Sequence, residues 1–120
     1  MMRNYLRLAK KVSINSDHRY QVGAVLVRGK TPLSICCNRA KTHPIYANPT
    51  GSIHAEMRCL IHSKRHAIEG STIYVWRSHK NGTPALSRPC STCLELLKEA
   101  GVRKIVYSIE EKPYYAEEFI

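Results

Sequence analysis

The 120-residue sequence has no apolar run approaching the roughly 20 residues that a membrane-spanning helix needs. The start, Met1-Met2-Arg3-Asn4-Tyr5, is basic but has neither a long apolar segment nor a small-residue cleavage site, so no signal peptide is expected. Repeats, linkers and low-complexity segments are missing too, and the length fits one domain over 1–120 without room for two. These absences exclude membrane, secreted and solenoid classes and leave a soluble, cytoplasmic protein as the expectation. Cysteine is scarce and odd in number, five in all with Cys36 and Cys37 adjacent, which suits neither a disulfide framework nor an oxidising compartment. Acidic residues are scarce as well. Residues 1–109 hold 18 of the 19 Lys and Arg but 5 of the 9 acids, a net +13, whereas 110–120 carry one Lys against four Glu, a net −3. A body this basic attracts phosphates, on free nucleotides or on nucleic acid.

What is present is an alternation of helix and strand patterns. Tyr5, Leu8, Ala9 and Val12 recur at helical spacing within 2–12, with Arg3, Arg7, Lys10 and Lys11 around them. Residues 21–27 (QVGAVLV) read as a strand buried on both faces, and 33–37 (LSICC) as its hairpin partner across Arg28-Gly29-Lys30. A long polar loop over 38–52 follows, and loops of that length in compact domains are usually functional. Ile53, Met57, Leu60 and Ile61 predict a buried helix stripe, and 72–76 (TIYVW) a β-branched and aromatic strand. Pro89 suits the first turn of a helix that Gly101 stops. Residues 102–108 (VRKIVYS) read as the last clear strand, and a short helix is expected from Pro113 with Tyr114, Tyr115, Phe119 and Ile120 apolar. Strands separated by a crossover helix should be parallel, so the third and fourth pair in parallel in a three-layer α/β/α sandwich.

Chemistry concentrates in His54, Glu56, Cys90 and Cys93. Cys90 and Cys93 stand three apart at a helix start, so their sulfurs share a face where the helix N-terminus favours thiolate. With His54 they offer zinc three ligands and leave a fourth position open, as in catalytic rather than structural sites. Glu56 lies about 200° of helical rotation from His54, so it does not bind the metal directly; beside the open position its carboxylate can move protons to and from an activated water. A structural zinc site would want a fourth protein ligand, for which His43, Cys59 and His62 are available, and a redox C-x-x-C pair would not need His54-Ala55-Glu56. Cys36, Cys37 and Cys59 read as small core residues. His62 and His66 read as a surface pair toward the far end of their helix, Trp76 as core or a stacking platform, and Tyr46 as a stacking candidate. Arg77, Lys80 and Arg88 should ring the mouth of a pocket.

His54-Ala55-Glu56 and Pro89-Cys90-Ser91-Thr92-Cys93 match H-x-E…P-C-x-x-C, and on these residues the chain resembles the zinc-dependent cytidine/deoxycytidylate deaminase superfamily. Val22-Gly23-Ala24, Asn38 and Lys41-Thr42-His43-Pro44 extend the likeness over about residues 1–108. The resemblance implies a mixed sheet in order 2-1-3-4-5, zinc held by His54, Cys90 and Cys93, and Glu56 as proton carrier. It implies that Asn38 meets the sugar and the backbone of Ala24 and Ala55 the base; Tyr46 and Arg88 complete the candidate substrate contacts. Arg88 itself departs from the acidic or small residue that many relatives carry before Pro-Cys. Four strands are legible, so the fifth lies in 109–120 or is missing. The expected activity is hydrolytic deamination of cytosine to uracil in a free nucleoside or nucleotide, by a homo-oligomer. Its competitors are an editing deaminase acting on cytosine in single-stranded DNA or adenosine in tRNA, and a non-catalytic zinc-stabilised nucleic-acid-binding module. Nucleic acid stays open as a partner because of the basic body.

Overall fold

The computed structural model describes residues 2–16, 21–38 and 54–120. Helix α1 (Met2–Ser13) is followed by the hairpin β1 (Val22–Arg28) and β2 (Thr31–Cys37), helix α2 (Ala55–Ile61), β3 (Thr72–Ser78), the two-residue β4 (Pro84–Ala85), α3 (Ser91–Ala100), β5 (Lys104–Ser108) and β6 (Tyr115–Phe119). The sheet runs β2-β1-β3-β5-β6, with β4 paired to β3. β3 and β5 are parallel, as a crossover through α3 requires, and the remaining pairings are antiparallel. The mixed sheet and its order agree with the expected sandwich, and β6 supplies the fifth main strand.

Side chains alternate across the sheet and divide the core into two layers. On one face Ala24, Leu26, Ile73, Val75, Ile105 and Tyr107 pack with Met57, Leu60, Cys93 and Leu97 of α2 and α3. On the other, Val25, Val27, Tyr74, Trp76 and Val106 pack with Leu6 and Ala9 of α1. Gly23 shows how closely α1 lies on the sheet: a Cβ there would stand 1.9 Å from the Ala9 carbonyl oxygen and 2.8 Å from the Ser13 nitrogen. The helix therefore turns small residues toward β1, and its buried face runs Leu6, Ala9, Ser13, with Leu8 and Val12 at the margin.

Two local expectations are corrected. The tail forms a strand over Tyr115–Phe119, not a helix: Tyr115, Ala116, Glu117, Glu118 and Phe119 pair with Ser108 back to Lys104. Tyr115 packs on the α1 layer and Ile120 on the other, so alternation across two covered faces had imitated a helical pattern. The helix carrying Met57 and Leu60 stops at Ile61, which is exposed, and Arg65–Ala67 form a separate 3-10 turn, so His62 and His66 share no helix; both are exposed. Trp76 faces α1, where its indole N–H donates to Ser78 Oγ at 2.7 Å and Lys10 Nζ sits 5.3 Å from its ring. Among the described residues no helix is long and apolar enough to cross a membrane.

Candidate metal and active site

Both chemistry-bearing helices begin at the same end of the sheet. α3 leads back to the start of β5 through Gly101, which takes the left-handed conformation (φ 107°) while its N–H bonds Lys98 O and that of Val102 bonds Leu97 O. The start of α3 therefore lies at the carboxyl ends of β3 and β5, where ligand sites gather in open α/β sheets. α2 precedes β3 in the same sense, so its start arrives at that end too.

His54 and Cys90 are the N-cap residues of α2 and α3, in extended conformation, and neither side chain caps its helix. Both side chains are thus directed to a common point instead of back onto their own amides. Cys93, one turn into α3, is buried and joins them: the donor atoms of His54, Cys90 and Cys93 lie within 4.8 Å of one another, and His54 Nδ1 is 3.1 Å from Cys93 Sγ. Tetrahedral zinc with ordinary bond lengths separates two sulfurs by about 3.8 Å and a sulfur from a nitrogen by about 3.6 Å. Two thiols and an imidazole at this spacing fit zinc in chemistry and in size. Among the described residues this is the one such group; Cys59 and His62 take no part in it.

The helix start alone does not make Cys93 a thiolate. Burial, then the neighbouring Glu56 and Cys90, push its thiol well up; a bound divalent cation would favour the thiolate instead. Glu56 is 5% exposed, which for a carboxylate needs a reason. Burial pushes its carboxyl up, while His54 and its own backbone N–H act in the opposite direction. Ala55, beside it, is fully buried. Cys36 and Cys59 sit inside the α2–α3 layer and Cys37 is buried at the end of β2; contact with Cys36 and burial push Cys59 well up, so these thiols are packing residues.

The other predicted contacts land as follows. Ala24 is fully buried in β1 and its carbonyl accepts from Cys59 Sγ at 3.4 Å. Asn38 is buried where β2 ends; its Oδ1 accepts from the Val22 N–H at 2.9 Å, and Ser16 Oγ donates to its carbonyl at 2.8 Å. Tyr46 and His43 lie outside the described residues. Arg88 is exposed but engaged: Nε and Nη2 grip Glu118 of β6 at 2.6 and 3.1 Å, and Tyr107 of β5 donates to the same carboxylate. Arg77 is half-buried and Lys80 is exposed on the β3–β4 turn. Sequence reasoning missed Glu118, Tyr107, Ser87 and Ser108, which hold the approach to Cys90; the polar residues Ser87 and Ser108 carried no motif to mark them.

Among solved structures, a dCMP deaminase from the cyanophage S-TIM5 is 25% identical over 92% of this chain and 84% of its own, with a TM-score of 0.66. The same enzyme has also been solved in complex with dCMP and dUMP. A cytidine deaminase from Burkholderia pseudomallei shares the fold at a TM-score of 0.70 and 16% identity, covering 99% of this chain and 92% of that one. RibD from Acinetobacter baumannii is 25% identical over 90% of this chain but 27% of its own, at a TM-score of 0.50. No curated protein sequence matches. Residues 1–109 match the model of the cytidine and deoxycytidylate deaminase zinc-binding region, and since the three donors of that region meet here in space, the chain belongs to that zinc-dependent deaminase family.

Proposed function

We propose that this protein hydrolytically deaminates cytosine to uracil in a free nucleoside or nucleotide. The observation that carries the reading is a buried carboxylate, Glu56, beside a three-donor metal site, an arrangement for which a purely structural zinc has no use. His54, Cys90 and Cys93 would hold zinc, which would supply a Lewis acid able to activate water at neutral pH. Glu56 takes a proton from the attacking water and passes it to the ring nitrogen as the oxygen adds to the amino-bearing carbon. It then collects the proton of the new hydroxyl and delivers it to the departing amine, so cytosine and water give uracil and ammonia. Asn38 orients the sugar, and the backbone at Ala24 and Ala55 borders the base. The dCMP deaminase solved with dCMP and dUMP supports a nucleotide substrate.

Two thiol ligands suit a reducing compartment, in line with a cytoplasmic setting. Residues 1–120 act as one domain. The exposed Phe119 on the edge strand β6 and Ile35 on the edge strand β2 support assembly into a homo-oligomer. The +13 body favours one further reading, an editing deaminase on a polymer. The deciding experiment incubates zinc-loaded protein with cytidine, CMP, dCMP, dCTP, adenosine and single-stranded oligonucleotides and resolves the products by chromatography. Uracil-bearing products from the free compounds are expected; turnover of adenosine or of oligonucleotides alone would replace the proposal.

A further inference from the structure

Cys90 poses a mechanical problem. It is an exposed residue in extended conformation at a helix start, without a side-chain cap, yet its sulfur must stay on the metal. What fixes it must lie in the residues leading to it, and these are bound in an unusual way. β3 and β5 pair from Thr72 with Lys104 as far as Val75 with Tyr107, and beyond that point the segment after β4 lies against both. Its side chains alternate: Ala85, Ser87 and Pro89 are buried, while Leu86, Arg88 and Cys90 are exposed.

Two buried hydroxyls take the place of the ladder there. The Ser87 N–H donates to Ser108 O at 3.0 Å, and the Ser108 N–H donates to Ser87 Oγ at 2.8 Å. Ser87 Oγ donates to the Val75 carbonyl at 2.9 Å. Ser108 Oγ donates to the Ala85 carbonyl at 2.6 Å and accepts from the Arg77 N–H at 3.1 Å, and the two hydroxyls are themselves 2.8 Å apart. Ser108 is fully buried and Ser87 nearly so. Two hydroxyls therefore join β3, β5 and the segment that ends three residues later in a metal ligand. Cutting either one strands backbone groups in a dry site, which costs more than the bond itself.

We infer that Ser87 and Ser108 are positioning residues for the metal site: their hydroxyls lock the Ala85–Cys90 segment onto the ends of β3 and β5 and so hold Cys90 in ligating position. The inference concerns the metal site and does not depend on which base is deaminated. Ser71 provides an internal control, because it too is fully buried beside β3 but its hydroxyl has no hydrogen-bond partner among the described residues.

The test measures zinc affinity by competition with a chromophoric chelator, and the sulfur-to-metal charge-transfer band of the Co2+-substituted protein. It is run on wild type, Ser87→Ala, Ser108→Ala and Ser71→Ala, with folding checked by circular dichroism. Removing partners behind metal ligands typically weakens binding 10–100-fold. Ser87→Ala and Ser108→Ala are expected to lose at least about tenfold in zinc affinity and to weaken or shift the Co2+ band, with Ser71→Ala within about twofold of wild type. Should Ser108→Ala not fold, Ser87→Ala decides alone. Wild-type affinity and spectrum in the folded Ser87 variant overturn the inference, and so does an equal loss in Ser71→Ala, which would mark general loosening of the core. Because both readouts are metal binding, a protein that deaminates no cytosine compound would leave this test intact.

Discussion

Glu56 and Cys93 touch the same small volume and do different work there, and substitution separates them. Glu56→Ala removes the proposed proton carrier but none of the three donors, so zinc should stay at one per chain while deamination falls 10²–10⁴-fold, about 3–5 kcal/mol of barrier. Cys93→Ser removes a buried thiol from the donor set and should lose metal and turnover together. Metal content by atomic emission, measured beside turnover on the substrate that the panel identifies, distinguishes the two. Near-full turnover in the Glu56 variant would end its role as proton carrier. These residues were legible in the sequence because metal chemistry restricts residue type and spacing at once. Ser87 and Ser108 were not: their value comes from where two distant segments meet, which no local pattern records.

At the level of elements, what the sequence revealed depended on whether one face or two were covered. β1, β3 and β5 could be read from β-branched runs, and the start of α3 from Pro89. β6 could not, because its residues meet a different layer on each side and pair antiparallel with β5 across a turn. The two-residue β4 lies below any periodic signal. The contact of α1 with β1 rests on Gly23, where a Cβ would collide with backbone and not with a movable side chain. Gly23→Ala should therefore cost about 2–4 kcal/mol and lower the thermal midpoint by on the order of 10 °C; an unchanged midpoint by calorimetry would show that α1 shifts freely. The tail is attached differently. Two ion pairs and a hydrogen bond among the described residues tie it to the body: Arg88 with Glu118, Lys104 with Glu117, and His79 Nε2 with the Glu110 carboxylate. Arg88, then Tyr107, hold the Glu118 carboxyl down to about 2 from its ordinary 4.5. A lowered carboxyl stabilises the fold fully above the unfolded value and loses that contribution as pH falls through the folded one. Glu118→Gln should accordingly lower the midpoint at pH 6 by a few degrees, an increment kept small by exposure, and the difference from wild type should close between about pH 4.5 and 2. A gap that persists at pH 2 would mean that Glu118 acts through packing instead of charge.

For the molecule as a whole, the net charge of +10 has to be weighed by where it sits. Arg7, Lys10 and Lys11 are exposed on α1, on the opposite side of the sheet from His54, Cys90 and Cys93. The molecule is 22 Å thick in its shortest dimension, and a Debye length of about 8 Å at physiological salt largely screens one face from the other. Arg28 and Lys30 belong to the β1–β2 turn, at the end of the sheet away from the site. Arg88 and Lys104 are neutralised by Glu118 and Glu117. A strand passing the metal site would therefore not meet the charges of α1 or of the β1–β2 hairpin, whereas a single nucleotide needs one or two contacts, from Arg77 or Lys80 or from Arg88 if it exchanges Glu118 for a phosphate. For single strands log K falls with log salt by about 0.7 per phosphate contacted. Binding of dCMP and of a short cytosine-containing oligonucleotide to the Glu56→Ala protein should both show slopes below about 2 in magnitude, equivalent to two or three contacts at most, without strong preference for the oligonucleotide. A steep slope for the oligonucleotide, joined to clear preference over dCMP, would instead require a basic track reaching the site and would return the editing reading to first place.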